Sequence, residues 1–227
     1  MTTELKKTAT ITLASASPRR RSLLEITGWE ANVCPVEIDE RPYQDESAEA
    51  LAERLALTKV RVAAANYNPF GVVLAADTVV ADGERLLGKP ADKAEAKRML
   101  FSLKGRSHRV FTTLALIDQR TGREVVETCE TLVPMRDYEM SEVETYIASG
   151  APLDKAGGYG IQDDAFSPVA VHQLHGCYTN VMGLPLCHLV RAIRRLGGSP
   201  PVNVPQACQA HIGYTCIVYI DILREQA

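Results

Sequence analysis

The sequence predicts an α/β fold with a mixed β-sheet. Residues 72–81 are almost entirely apolar and rich in valine, which indicates a strand buried on both faces. A predicted strand over 9–14 runs directly into a predicted helix, a succession that is typical of α/β proteins. Two β-prone segments, 109–117 and 124–133, flank a turn at Thr121-Gly122 and indicate an antiparallel pair. Together these segments predict a sheet with strands of both senses.

Size and charge exclude several classes of protein. The chain has 227 residues, of which 46% are hydrophobic, enough for a core in one domain or in one domain with two lobes. Its formal charge is -3, and charges of both signs are mixed along it, which argues against a general nucleic-acid surface. No apolar segment approaches the roughly 20 residues that span a bilayer. We therefore expect neither nucleic acid nor a membrane as partner.

The cysteines point to a reducing compartment. The sequence has six of them, with no C-x-x-C pair, and no signal peptide is recognisable before them. Reduced thiols are typical of the cytoplasm, because disulfides persist mainly in oxidising compartments. We expect a cytoplasmic protein whose cysteines lie mostly in the core.

One charged residue interrupts the apolar strand. Asp77 places a carboxylate in an otherwise dry segment, and leaving it unpaired there would be costly. It must be neutralised, hydrogen-bonded, bound to a metal or placed at a cleft, so we expect a site here. In the alternative, Asp77 caps a turn and a second strand begins at Thr78.

The first helix is predicted to begin after Ser17. This serine suits the N-cap and Pro18 suits the first helical turn. The helix N-terminus follows the carboxyl end of a strand, where α/β sheets bind anions. Arg19, in the first turn, is the predicted phosphate ligand. For Arg20 and Arg21 we expect a solvated basic face instead.

The segment Glu37-Ile-Asp-Glu40 carries three carboxylates in four residues. Carboxylate oxygens at this density suit a hard cation such as magnesium, which takes one or two of them and keeps several waters. The alternative is an acidic loop that is simply solvated, as most such loops are.

A helix is predicted over 47–67, with one lysine on its apolar face. At about 100° per residue, its alanines, leucines and valines form one apolar arc. Lys59 falls inside this arc, so its ammonium group either extends to the rim or meets a buried anion. Asp77 and a bound phosphate are the candidate anions.

A second lysine follows the central strand. Asp82-Gly83 is a hairpin turn signal, and Gly83, Gly88 and Lys89 have the spacing of a phosphate-binding P-loop. Pro90 rules out a P-loop, because it supplies neither a hydroxyl for magnesium nor a backbone N–H. We therefore expect only that Lys89 lies in a glycine–proline corner and points toward a phosphate.

Capping boxes predict two further helices. Asp92-x-x-Glu95 opens the first, which ends near Gly105, and Ser141-x-x-Glu144 opens the second. A glycine-rich segment at 153–162 follows and allows close backbone approach to a ligand, although such segments are often only turns.

The C-terminal part is predicted to contain a helix and a tail. The helix covers 185–196 and has leucine and isoleucine on one face. Residues 199–205 predict a stiff, proline-containing linker. Residues 212–223 are β-prone and predict either an added edge strand or an oligomer contact.

Six short segments provide a more specific indication. They occur in fixed order at 15–21, 37–40, 75–78, 88–90, 152–162 and 183–185. Together they closely resemble the Maf family of nucleoside triphosphate pyrophosphatases, also described as septum-formation inhibitor-like proteins. The resemblance covers residues 11–196, nearly the whole chain except its tail.

The resemblance implies both a fold and a reaction. The fold is a two-lobed α/β structure, related to the inosine triphosphate pyrophosphatases, with a central cleft. The reaction cleaves a nucleoside triphosphate between the α- and β-phosphorus atoms, giving the monophosphate and pyrophosphate with a divalent cation, Mg²⁺ or Mn²⁺. A function of another class, also consistent with the family's name, is a nucleotide-binding regulator of cell division or septum formation with little turnover.

The resemblance also implies residue roles. Asp77 is the expected catalytic proton acceptor, and Glu40, Lys59 and Lys89 match the other polar catalytic positions; Glu40 and Asp77 are the expected metal ligands. The remaining matches are substrate-binding and specificity positions: Ser15, Arg19, Thr78, Asp154, Lys155 and Gln162. This set looks like the branch that acts on dTTP and UTP, rather than the branch that acts on 7-methyl-GTP.

We divide the chain into three parts on this basis. A lead-in covers 1–10, a Maf-like nucleotide pyrophosphatase domain covers 11–197, and an extension of unknown role covers 198–227. The extension departs from the usual end of the family, so the assembly state stays open, with a homodimer as the candidate.

Overall fold

A six-stranded mixed β-sheet runs through the protein, of which the computed structural model describes residues 10–67 and 71–224. Most of the predicted lead-in and the last residues of the predicted extension thus lie outside the described residues. The strands, in chain order, are β1 (Ile11–Leu13), β2 (Ala31–Val33), β3 (Val72–Asp82), β4 (Arg85–Leu87), β5 (Ser107–Asp118) and β6 (Glu124–Pro134).

Helices cover both faces of this sheet. In chain order they are α1 (Pro18–Glu25), α2 (Ala48–Tyr67), α3 (Lys93–Leu103), α4 (Met140–Ala148), α5 (Tyr178–Met182), α6 (Leu186–Arg195), α7 (Val204–Ile212) and α8 (Tyr219–Arg224). Three short 3₁₀ turns lie between α4 and α5: Ala151–Asp154, Ala156–Gly158 and Val171–Gln173. Within the described ranges, no helix is both long enough and apolar enough to cross a bilayer.

The sheet divides along one edge of β3. On that edge β1 pairs in parallel with Val72, Val73 and Leu74, whereas β4 pairs antiparallel with 80–82. The other edge of β3 pairs antiparallel with β5 along nearly its whole length. Among the described residues, 75–79 therefore has no partner strand on the β1 and β4 side. Asp77 lies in the middle of this gap, at the point where the sheet opens.

The core lies on both sides of β3. Val73 and Ala75 pack with α2 on one face, and Leu74 and Ala76 pack with α1 and α6 on the other. A further apolar cluster gathers around α3, α4 and the turn at Ala156–Gly158. The predicted α/β class with a mixed sheet is confirmed, including the buried central strand and the antiparallel pair. The alternative in which Asp77 caps a turn is wrong, because β3 continues through it.

The start of α4 differs from the prediction. The helix begins at Met140 rather than after Ser141, and Glu139 occupies the N-cap. The backbone N–H of Glu139 donates to Glu142 Oε2 at 2.8 Å. This acidic pair satisfies a free N–H at the helix start, as a serine-based capping box would have done. The helix therefore begins two residues earlier than predicted.

The C-terminal segment also differs from the prediction. The β-prone run at 212–223 contains the end of α7 and most of α8, and the predicted linker contains the start of α7. Asn203 caps α7, because its side chain accepts a hydrogen bond from Gln206 N at 3.2 Å. Val204 and Cys208 are buried against α6 and its neighbours. Ile212 and Leu223, which belong to the β-prone run, pack against the same cluster, so tertiary packing has overridden the β propensity here.

Candidate active site

A cavity of about 380 Å³ lies where the sheet opens. The loop after β1, the start of α1, α2, β3, the glycine-rich turns and the end of α5 contribute to its walls. Every predicted site residue except Asp77 lines it: Ser15, Arg19, Glu40, Lys59, Thr78, Lys89, Asp154, Lys155 and Gln162. Its size is in the usual range for small-molecule sites.

Asp77 lies directly behind this lining, hydrogen-bonded to Lys59. The Lys59 ammonium group donates to Asp77 Oδ1 and also lies 2.6 Å from Glu40 Oε1. The Lys59 and Asp77 side chains are each 10% exposed, whereas that of Glu40 is 59% exposed. The lysine in the apolar arc of α2 therefore meets a buried anion. Strand alternation explains this contact, because Asp77 points to the same face as Val73 and Ala75, toward α2.

Glu40 carries a stabilised negative charge at this site. Burial raises the pKa of its carboxyl, but the hydrogen bond and charge of Lys59 and the charges of Lys89 and Arg20 outweigh burial. The net result is a pKa below the ordinary value for glutamate. Glu40 is therefore ionised at neutral pH and available as an acceptor.

The loop between β1 and α1 forms one wall of the cavity. Ser15 is buried, and its Oγ accepts a hydrogen bond from Ser17 N at 3.2 Å. Ser17 is the N-cap of α1, and its side chain accepts from Arg20 N at 3.4 Å, with Pro18 in the first turn as predicted. The first turn of α1 thus faces the cavity with its N-terminus, the end that favours anions.

Arg20 belongs to the site, so its predicted place on a solvated face is wrong. Its guanidinium group donates to Gly183 O at 2.9 Å, to Thr78 Oγ1 at 3.0 Å and to Ser15 Oγ at 3.4 Å. The sequence did contain a signal for this placement. Leu23 and Leu24, three and four residues later, are fully buried, so Arg20 shares the inward face of α1.

Gly183 and Thr78 make room for this arginine. Gly183 ends α5 with φ at 104°, and a Cβ added there would lie 3.3 Å from both Arg20 Nε and Thr78 Oγ1. Thr78 in turn lies 2.9 Å from the hydroxyl of Thr112, which donates to Asn180 O at 3.0 Å. A continuous hydrogen-bonded chain thus fixes the guanidinium plane across β3, β5 and α5.

Arg19 connects the first turn of α1 to the glycine-rich segment. Arg19 Nη1 pairs with Asp154 Oδ2 at 2.8 Å, and Lys155 Nζ pairs with Asp154 Oδ1 at 3.0 Å. Burial raises the pKa of Asp154, but hydrogen bonds from Lys155 and Arg19 lower it by more. Lys155 also donates to Ala151 O at 2.6 Å. Arg19 is thus held toward the turn at Ala151–Asp154, and Gln162 also lines the cavity.

Lys89 is exposed and lines the cavity from the corner after β4. The Gly157 N–H donates to Gly88 O at 3.0 Å and so joins this corner to the glycine-rich turn. Helix α3 begins only at Lys93, so Lys89 does not lie at the helix start that a P-loop requires. The local backbone therefore supports the conclusion that this segment is not a P-loop.

The donors available for a metal are few. In the described part of the chain, no group of three or more His, Cys, Asp or Glu side chains is arranged to hold a metal ion. Glu40 and Asp77 are the carboxylates at the cavity that converge on one cation, the ammonium group of Lys59. They supply the hard oxygen donors that Mg²⁺ and Mn²⁺ prefer.

Comparison with known proteins places the chain in a family. A protein called "dTTP/UTP pyrophosphatase" from Dehalococcoides mccartyi is 42% identical over 193 residues, 85% of each chain. Another with the same name, from Citrifermentans bemidjiense, is 45% identical over 192 residues, 84% of this chain and 97% of the relative. A solved nucleoside triphosphatase, or dITP/XTP pyrophosphatase, from Mycobacterium abscessus aligns over 70% of this chain and 82% of that chain. Its identity is 16% and its TM-score is 0.39.

The family description "Maf-like protein" matches residues 10–196. This match covers most of the chain and includes every residue of the cavity lining. The resemblance seen in the six sequence segments is confirmed. The chain belongs to the Maf-like protein family.

Proposed function

We propose that this protein hydrolyses nucleoside triphosphates, with dTTP and UTP as its substrates, to the monophosphate and pyrophosphate. One observation carries the proposal: five cationic side chains line a single nucleotide-sized cavity beside the carboxylates of Glu40 and Asp77. They are Arg19, Arg20, Lys59, Lys89 and Lys155. The names of the relatives at 42% and 45% identity support the same substrates.

The cations explain preference for a triphosphate. A nucleoside triphosphate carries about four negative charges, and its leaving pyrophosphate gains charge as the bond breaks. Positive groups fixed by the fold stabilise that charge without reorganising during the reaction. Arg20 is held at three oxygen atoms and Lys59 at two carboxylates, so both are fixed before substrate binds. Lys89 is exposed and free to approach the phosphates.

The carboxylates supply the proton acceptor. We propose that Asp77 takes the proton of the attacking water, with the hydrogen bond from Lys59 orienting its carboxylate. Glu40 orients this water from the exposed side, and the lowered pKa keeps it ionised. Water then attacks the α-phosphorus in line with the leaving pyrophosphate, and no covalent enzyme intermediate is needed.

A divalent cation, Mg²⁺ or Mn²⁺, fits the same carboxylates. Glu40 and Asp77 would hold it, since their oxygens already converge on one positive group. When bound, such a cation withdraws charge from the phosphate oxygens. Water and phosphate oxygens would complete its coordination, because magnesium keeps several ligands that are not from protein.

The partner we propose is a free nucleotide, with no nucleic acid and no membrane, and the assembly we propose is a homodimer. A cytoplasmic location is supported by the six cysteines, all of which are free thiols.

The test is pyrophosphate release from a panel of triphosphates: dTTP, UTP, CTP, GTP and 7-methyl-GTP. We expect release from dTTP and UTP at ordinary enzymatic rates, with the monophosphate as the other product. Glu40→Gln should lower kcat by about 10²-fold or more. Glu37→Gln, in the same acidic segment and exposed, is the matched control. Binding of UTP without steady release would instead favour the nucleotide-dependent regulator.

A further inference from the structure

Tyr159 forms part of an apolar region of the cavity. It follows the turn at Ala156–Gly158 and lines the cavity together with Val80, Val110 and Met182. Val80 lies two residues beyond Thr78 on the same face of β3, so this apolar region continues from the arginine-bearing wall. A nucleotide whose phosphates contact the cations would direct its base toward such a surface.

A buried histidine fixes the position of Tyr159. His108, on β5, is 2% exposed, and its Nε2 lies 2.6 Å from the Tyr159 hydroxyl. The two rings meet edge to face, with centroids 5.3 Å apart and planes at 86°. A Cβ added at Gly157 would lie 3.3 Å from Tyr159 Cε1, so the glycine lets the ring pack closely against its own turn. The tyrosine is thus held at both its hydroxyl and its ring.

The histidine itself has little other reason to be polar. Burial lowers its pKa to about 4, so the imidazole is neutral at physiological pH. Its Nδ1 is buried without a hydrogen-bond partner among the described residues. An unsatisfied buried nitrogen is costly, and an apolar side chain would fill the same volume without that cost. The bond to Tyr159 is the contact that distinguishes His108 from an apolar core residue.

We propose that His108 is a positioning residue that fixes Tyr159 as the wall against which the nucleotide base packs. A fixed wall limits the space at this end of the cavity, so it favours the single ring of a pyrimidine over the larger purine. This inference rests on the proposed function and names a determinant of its base selectivity.

The test compares His108→Leu with His188→Leu. His188 is the matched control, because it is also buried, also has an unpartnered Nδ1 and does not line the cavity. For His108→Leu we expect KM for UTP to rise about tenfold with kcat within about twofold, and the preference for UTP over GTP in kcat/KM to fall. His188→Leu should leave both unchanged. His108→Gln, whose amide can still bond the hydroxyl, should recover most of the loss.

Tyr159→Phe tests the same hydrogen bond from its other end and keeps the ring. It should reproduce the rise in KM, and the double variant with His108→Leu should add nothing further. Unchanged KM and selectivity in Tyr159→Phe would overturn the proposal, even if His108→Leu failed to fold. An equal rise in KM in His188→Leu would also overturn it. A wild-type protein that releases no pyrophosphate from any triphosphate would refute the proposed function instead.

Discussion

Replacing Lys59 by methionine should cost both stability and activity. The lysine pairs with two carboxylates, and one of them, Asp77, is 10% exposed at its side chain. Removing one partner of a buried ion pair leaves the other charge unpaired, which costs about 3–5 kcal/mol. For a chain of this size, that loss lowers Tm by about 6–20 °C. Chemical unfolding in urea measures the free energy of unfolding directly.

Two further variants isolate the cause. Lys97→Met removes a lysine whose partner Glu144 is solvated, with side chains 42% and 57% exposed, so we expect a loss of less than about 1 kcal/mol. The double variant Lys59→Met with Asp77→Asn should regain most of the lost stability, because no buried charge remains unpaired. Its rate of pyrophosphate release should nevertheless remain low. A stable Lys59→Met protein, or a double variant less stable than either single one, would refute this account of the pair.

Three other predictions concern the arginine, its glycine and the buried histidines. Arg20→Lys should raise KM for UTP by about tenfold, because an ammonium cannot keep the forked contacts of a guanidinium; Arg21→Lys, on the exposed face, should have no effect on steady-state kinetics. Gly183→Ala should also raise KM, since φ at 104° disfavours a side chain and the new Cβ would press on the guanidinium; normal kinetics with normal stability would contradict this. Burial lowers the pKa of both His108 and His188 to about 4, so the unfolded chain binds protons that the folded protein does not. The contribution of each histidine to the free energy of unfolding is therefore full above pH 6.5 and falls by about 3 kcal/mol as the pH drops toward 4. Urea unfolding of wild type and His188→Leu between pH 7.5 and 4.5 should show a smaller decline in the variant.

The parts of the site that follow from local pattern were predictable. A carboxylate inside a valine-rich run must have a special environment, and a lysine in the apolar arc of a helix needs an anion. These two rules made Asp77 one of two candidate anions for Lys59, beside a bound phosphate, and in the structure Lys59 donates a hydrogen bond to Asp77. The N-cap of α1 and the hairpin after β3 were likewise local signals.

The remaining parts depend on tertiary packing. Nothing in the sequence of β3 shows that β1 and β4 leave 75–79 unpaired between them, because strand order is a property of the whole sheet. The role of Arg20 depends on Gly183, which lies far away in the chain. The β-prone run at 212–223 contains helical segments because Ile212 and Leu223 pack against the apolar cluster that includes α6.

The most direct test of the central claim is the fate of the attacking oxygen. When UTP is hydrolysed in ¹⁸O-labelled water, attack at the α-phosphorus places the label in UMP and leaves pyrophosphate unlabelled. Asp77→Asn should lower the rate of this labelling by about 10²-fold or more while UTP binding persists. Label found in pyrophosphate, or in free phosphate, would contradict the proposed reaction at this site.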